Sequence, residues 1–309
     1  AHLHAAKAVI FAHIQRHENE YAIEKMCRIL QVSKSGYYKW KQRQHAPETD
    51  READRTEKKR MVSRSFRESR GTYGSPRVHQ DLVAWGYTMS VKTVARLMQE
   101  QGLRAIPKVA FVTTTDSNHT LKTEPNRLNR DFTAEQPNQV WVTDITYIRT
   151  REGWLYLATV MDLFSRKIVG WNIQDHMRTE LALDALKMAL SSREIPESGL
   201  LHHSDRGSQY CAIDYKKVLT NHRCTLSMSR KGDPFDNACI ESFHASLKKE
   251  LVHRTRFRTK AEASHAVTRY IAGYYNRKRR HSTIGHVSPQ AFEETYHQAK
   301  HDKVDDVAS

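Results

Sequence analysis

The chain has 309 residues, 39% hydrophobic and 28% charged, with only 12 Gly and 8 Pro, which excludes wholesale disorder and leaves room for two or three domains. Fifty Lys and Arg against 35 Asp and Glu give a net charge of +15, a balance that favours a polyanionic partner, nucleic acid first. Cys27, Cys211, Cys224 and Cys239 form no C-x-x-C pair, which argues against a zinc ribbon and suits a reducing cytoplasm, and no run of roughly 18 apolar residues marks a membrane span.

The N-terminus lacks the pattern of a secretory signal. It begins on Ala1 rather than Met, the start expected of a processed, tagged or fused product. Residues 8–45 read as helical. Ile23, Met26, Ile29 and Leu30 recur at helical spacing, QVSKSG breaks the pattern, and Ser33 is placed to cap a second helix from Lys34 to Arg43. That helix carries Lys34, Lys39, Lys41 and Arg43 among Tyr37, Tyr38 and Trp40, the shape of a helix-turn-helix with a basic second helix. A plain helical hairpin with a solvated basic face has the same pattern. The dense charge of 46–70 reads as a helix or hinge with little core of its own. Pro76 then opens a helix with an apolar stripe of Val78, Leu82 and Val83. Gly86 breaks it, and Ser90 caps VKTVARLMQEQ, with Val91, Val94, Leu97 and Met98 inward and Lys92 and Arg96 outward. The expected organisation is a helix-turn-helix at 1–45, a connector and second helix-turn-helix at 46–106, and a linker at 107–135. A larger core domain at 136–295 and a polar tail at 296–309 follow.

From Gln139 the texture becomes β-rich. QVWVTDITYIRT alternates, and GWLYLATVMDLFSRKIVGWNIQ holds two strands joined at DLFSRK. TELALDALKMALSSR is an amphipathic helix with Leu181, Leu183, Ala185, Leu186 and Leu190 available to its buried side. The short strands GLLHHSD and CTLSMSR and the helix DNACIESFHASLKKELV, capped near Asp236, complete a mixed sheet with helices around it.

Three acids stand out by position. Asp144 sits inside an apolar strand, Asp205 ends a short strand, and Glu241 lies in the last core helix. A carboxylate in such a place pays desolvation unless something neutralises it, and Mg²⁺ or Mn²⁺ suits hard oxygen ligands. Asp162 is the rival acid and reads as structural. His202 and His203 read as structural strand-end histidines, Gly207 as the residue that lets the chain turn sharply, and Asp233 and Asp236 as turn and cap residues. Glu241, His244 and Lys248 share one helix face, with Lys249 beside it, so Lys248 and Lys249 are placed to hold phosphates and His244 to face the site. Arg206 has Asp205 or a phosphate as partner. Residues 254–286 form a basic flank ending in Arg277, Lys278, Arg279 and Arg280, with Tyr274 and Tyr275 packing or stacking.

Residues 145–204 separate the two aspartates and 206–240 separate Asp205 from Glu241. With WVTDITYI, VMDLFSRKIVGW, HSDRGSQY, GDPFDNACIESFHASLKKE and YYNRKRRHSTIGHVSPQAF, this pattern resembles the integrase core of orfB-type transposases of the insertion-sequence three family, over roughly residues 20–295. The His/Cys zinc module that precedes the related retroviral core is not evident. The resemblance implies an α/β RNase H-like catalytic core preceded by all-α helix-turn-helix DNA-binding domains. It implies Asp144, Asp205 and Glu241 as a triad holding two Mg²⁺ or Mn²⁺ ions, a metal-dependent polynucleotidyl transferase that frees a 3′-OH and joins it to another strand. It also implies terminal inverted repeats and target DNA as substrates, a circular or branched donor intermediate, and self-association on paired ends. An upstream helix-turn-helix and leucine-zipper product or fusion is a further implied partner, although no clear heptad run occurs in this chain. The bacterial cytoplasm, at the nucleoid, is the implied location. The competing readings are a non-catalytic DNA-binding regulator of the element and an RNase H-type nuclease.

Overall fold

The computed structural model describes residues 2–45, 49–106, 122–231 and 233–308, so 107–121 of the expected linker lie outside the described residues. The chain divides into two compact units, Ala1–Met61 and Val62–Ser309. In the first, α1 (His2–Arg16), α2 (Ile23–Ile29) and α3 (Lys34–His45) surround Phe11, Ile14, Met26, Cys27 and Tyr37. Ser33 Oγ accepts the Gly36 N–H at 3.1 Å, which caps α3 as its position predicts. Lys41 Nζ pairs with Glu18 at 2.6 Å, and the Tyr37 hydroxyl donates to the same carboxylate.

The charged connector is one long helix, α4 (Asp50–Glu68), followed by α5 (Ser75–Ala84) and α6 (Val91–Glu100). Ser90 caps α6 by accepting from Thr93 N at 3.1 Å. Val78, Leu82, Val94, Leu97 and Met98 are buried. Val83 and Val91, expected inward, are 50% and 40% exposed. Each stands at the rim of its stripe, where the short helix turns away from the core.

The core is a five-stranded sheet in the order β3-β2-β1-β4-β5. β1 (Val140–Thr150), β2 (Gly153–Asp162) and β3 (Ile168–Gln174) form an antiparallel meander. α7 (Thr179–Ser192) crosses over to β4 (Leu200–Ser204), which pairs parallel to β1. The short α8 (Ser208–Cys211) and α9 (Ile213–Asn221) lead to β5 (Cys224–Met228), parallel to β4. α10 (Ala238–Glu250), α11 (Lys260–Arg269) with a π-helical turn Tyr270–Tyr275, and α12 (Pro289–Ala308) complete the chain.

Strand alternation splits the core in two. One face carries Val142, Ile148, Leu155, Leu157 and Met161 against Ile240, Phe243 and Leu247 of α10 and Ala263 and Val267 of α11. The other carries Trp141, Ala158 and Val160 against Leu181, Ala182, Ala185, Leu186 and Ala189 of α7. α7 lies so close to β3 that a Cβ on Gly170 would stand 2.2 Å from Ala185 O and 2.9 Å from Ala189 Cβ. Gly170→Ala is expected to destabilise the chain by about 2–3 kcal/mol in urea unfolding, because the clash is with backbone that cannot step aside.

Candidate active site

Val142 of β1 faces His203 of β4 at the last pair of the parallel ladder, and Asp144 lies two residues further along β1. Asp205 lies one residue beyond β4. Its Oδ1 accepts the Gly207 N–H at 2.8 Å. Gly207 has an ordinary φ of −58°, so its glycine is not there for a left-handed turn. Space is the reason, since a Cβ would press on Asp205 Oδ1 at 3.0 Å. Arg206 Nε donates to Ser229 O at 2.7 Å.

α10 lies across the face of β1 that bears Asp144. Asn237 Nδ2 ties the start of the helix to Thr143 O at 3.0 Å. Asp236 does not cap α10 as expected. It is fully buried and receives Arg230 NH2 at 2.7 Å, Arg130 Nε at 3.1 Å and Asn126 Nδ2 at 2.8 Å. Hydrogen bonds from Arg230 hold its carboxyl well below the usual range. Asp233 supplies a cap to the preceding 3₁₀ turn, accepting from Phe235 N at 3.1 Å.

His244, 2% exposed, places Nδ1 3.3 Å from Asp144 Oδ2 and Nε2 2.9 Å from Thr159 Oγ1. Three residues earlier on the same helix face is Glu241, and four residues later Lys248, whose Nζ lies 4.3 Å from the centroid of the Tyr147 ring. The acids sense one another. Burial, then the charge of Asp144, pushes Asp205 up to about 7, with Glu241 adding to the rise and the Gly207 N–H opposing it. Burial and Asp144 also raise Glu241. Burial lowers the Lys248 ammonium, and Tyr147 and Asp144 push back. Among the described residues no three His, Cys, Asp or Glu side chains already stand as a set that could hold a metal ion.

The rival acid is elsewhere. Asp162 is fully buried, and its oxygens accept Asn138 N at 2.8 Å and Phe164 N at 3.0 Å, with burial raising it to about 6. It shapes the β2–β3 turn. His202 hydrogen-bonds Tyr215 at 3.1 Å and His203 bonds Ser227 at 2.8 Å and Ser229 at 3.1 Å. Burial lowers them to about 3 and about 4, so both are neutral core groups near pH 7.

Residues 134–234 and 222–289 match family models described as integrase core domain, and residues 52–111 one described as HTH-like domain. The HTLV-2 integrase catalytic core in complex with magnesium is 15% identical with a TM-score of 0.40, over 52% of this chain and 99% of that one. The chain is 44% identical over 283 residues to transposase InsF for insertion sequence IS3A of Escherichia coli (strain K12), covering 92% of this chain and 98% of that protein. This chain belongs to the IS3-family transposases. It is also 45% identical over 273 residues to the insertion element IS600 uncharacterized 31 kDa protein of Shigella sonnei, covering 88% and 99%.

The basic residues of this IS3-family transposase fall into two groups. Lys39, Lys92, Arg96, Arg277 and Lys278 are exposed, as is Lys34, which stands 3.7 Å from Glu24. Lys248, Lys249 and Arg206 are half-buried. Arg279, read from sequence as part of a surface flank, is 4% exposed and does not belong there. Its guanidinium grips Glu250 at 2.8 and 3.0 Å and reaches Ser246 at 3.2 Å, while Tyr270 donates to the same carboxylate at 2.8 Å. Arg280 binds Asp81 of α5 at 2.5 Å and His286 O at 2.8 Å. Tyr274 and Tyr275 are both packed inside. Thr159 and Tyr147 escaped the sequence reading. Their spacing around Asp144 is ordinary strand composition, and only the β1–β2 register and the path of α10 reveal them.

No helix among the described residues is long and apolar enough to cross a membrane. Arg279→Ala is expected to cost about 3–5 kcal/mol in urea unfolding, because Glu250 is left charged and unpaired inside. Arg277→Ala should stay within about 0.5 kcal/mol of the parent.

Proposed function

We propose that this transposase cuts and joins DNA at the ends of its insertion sequence by metal-dependent phosphoryl transfer, with Asp144, Asp205 and Glu241 as the ligands of two Mg²⁺ or Mn²⁺ ions. The observation that carries the reading is that Asp144 on β1, Asp205 just beyond the neighbouring parallel β4 and Glu241 on α10 lie close enough for their charges to act on one another. The donor set fits the cations, since all three groups are carboxylates and two are raised by burial first and then by the negative charge of Asp144, which a divalent ion would offset. Gathering the three around the ions calls for side-chain movement, which the partly exposed Glu241 permits. When bound, the two ions would activate the attacking oxygen and neutralise the leaving one.

The residues of the chain supply the rest. Lys248, Lys249 and Arg206 hold the phosphates of the strand being cut, beside the carboxylates. Lys34, Lys39, Lys92, Arg96, Arg277 and Lys278 contribute backbone contacts to the terminal repeats and target DNA. Water breaks a P–O3′ bond at the end of the element and leaves a 3′-OH. That hydroxyl then attacks a second phosphodiester and displaces its 3′ oxygen. The site serves both steps because only the nucleophile changes, and no covalent enzyme–DNA link is needed. Self-association on paired ends, pairing or fusion with an upstream product, and work at the nucleoid of a bacterial cytoplasm complete the reading.

A strand-transfer assay with Mg²⁺ tests it. Asp205→Asn is expected to lose cleavage and joining by about a thousandfold or more while still binding end DNA. Joining that survives the substitution defeats the triad, and a parent that cleaves without joining points to a nuclease. Because Asp205 sits near 7 and must lose its proton to bind a cation, the affinity for Mn²⁺ in calorimetry should rise by up to about tenfold per pH unit below that value and level off above it.

A further inference from the structure

We propose that His244 and Thr159 are positioning residues that fix the Asp144 carboxylate for cation binding, an inference that rests on the triad reading above. Asp144 and Thr159 are directly opposed on β1 and β2, so both side chains rise from one face of the sheet. α10 crosses that face, and His244 bridges them, with Nδ1 3.3 Å from Asp144 Oδ2 and Nε2 2.9 Å from Thr159 Oγ1. Ionised, Asp144 can only accept, so Nδ1 must carry a hydrogen toward it. The ring is 2% exposed, and Thr159 offers the hydroxyl that occupies its other nitrogen. That hydroxyl donates to Nε2 and keeps the ring hydrogen on Nδ1.

Thr159 is itself held, because its carbonyl accepts the Thr143 hydroxyl at 2.8 Å. The second oxygen of Asp144 accepts the backbone N–H of Ile145 at 2.8 Å. One carboxylate oxygen is thereby set by the backbone and the other by a three-residue relay, Thr159 to His244 to Asp144. Outer partners of this kind orient a metal ligand without touching the metal. His244 also stands one turn from Glu241, so the same ring that sets Asp144 fixes how closely the helix bearing the third carboxylate approaches β1.

Three variants of the full chain test the relay. His244→Phe fills the space and removes both nitrogens. His244→Asn returns an amide N–H near the place of Nδ1. Thr159→Val keeps its shape and removes the hydroxyl that chooses the tautomer. Mn²⁺ binding is read by calorimetry and by the metal-induced rise in melting temperature, without DNA. The Mg²⁺ concentration for half-maximal joining is read beside them. His244→Phe and Thr159→Val are expected to weaken metal binding by about tenfold and His244→Asn by no more than about threefold, with metal-free melting of Thr159→Val and its binding of end DNA unchanged.

Parent-like metal binding in both His244→Phe and Thr159→Val overturns the proposal, as does an Asn variant as impaired as the Phe variant. Should His244→Phe fail to fold, Thr159→Val decides alone. Asp205→Asn separates this outcome from failure of the triad. If metal binding survives Asp205→Asn, the triad itself is wrong. If Asp205→Asn abolishes binding that Thr159→Val and His244→Phe leave intact, only the relay is wrong.

Discussion

Parallel pairing of β4 against β1 is the constraint from which the site follows. It brings Asp144 of β1 near Asp205, which follows the end of β4, close enough for the charge of one to act on the other. Two like charges at the edge of a core are unfavourable by themselves. The structure tempers the cost locally, with the Gly207 N–H on Asp205 and the Ile145 N–H and His244 on Asp144. The tempering is incomplete, since Asp205 and Glu241 remain above their ordinary range. Burial is the larger cause of both rises and the charge of Asp144 the next, and α10 adds the third carboxylate to the group.

The loop before α10 shows how firmly that third group is delivered. It carries Asp236 into full burial, with two arginines and an asparagine around it, and Asn237 bound to the β1 backbone. Within it Asp236 turns inward and is held by hydrogen bonds from Arg230, Arg130 and Asn126. Glu241 therefore starts from a fixed helix origin, and its freedom is limited to its own side-chain rotation.

Much of this was legible beforehand. Alternation in β1 separates Val142 and Ile148 from Trp141, and the structure sends them to opposite faces. The strand and helix order of the core follows from periodicity because each element has a contiguous apolar pattern and a clear break. The failures have a common physical source. Val83 and Val91 satisfy a helical stripe that short helices do not bury to its full width. Gly207 reads from sequence as a residue for a sharp turn, and the structure adds a demand of space beside Asp205 Oδ1. Arg279 sits in a run of four basic residues, and no local feature distinguishes the buried one. Its partner Glu250 lies on α10, and sequence distance hides that pairing. Thr159 is the same case, since its meaning comes from a strand register and a helix path together.

The fate of the basic run bears on how DNA would be held. Of Arg277, Lys278, Arg279 and Arg280, only the first two are exposed. Arg279 holds Glu250 within the core, and Arg280 holds Asp81 of α5, with its backbone N–H on the Tyr73 hydroxyl at 2.7 Å. Thr72 meets Tyr274 at 3.1 Å, and Arg254 donates to Arg70 O at 2.6 Å. The α5–α6 pair is therefore fastened to the C-terminal end of the core inside one compact unit, Val62–Ser309. One cation that a charge count assigns to phosphate, Arg280, is engaged at this junction, and a second, Arg279, inside the core. In exchange, the exposed Lys92 and Arg96 of α6 ride on the same frame as the carboxylates. The separation between α6 and the three carboxylates is thereby set by packed side chains and ion pairs within one compact unit.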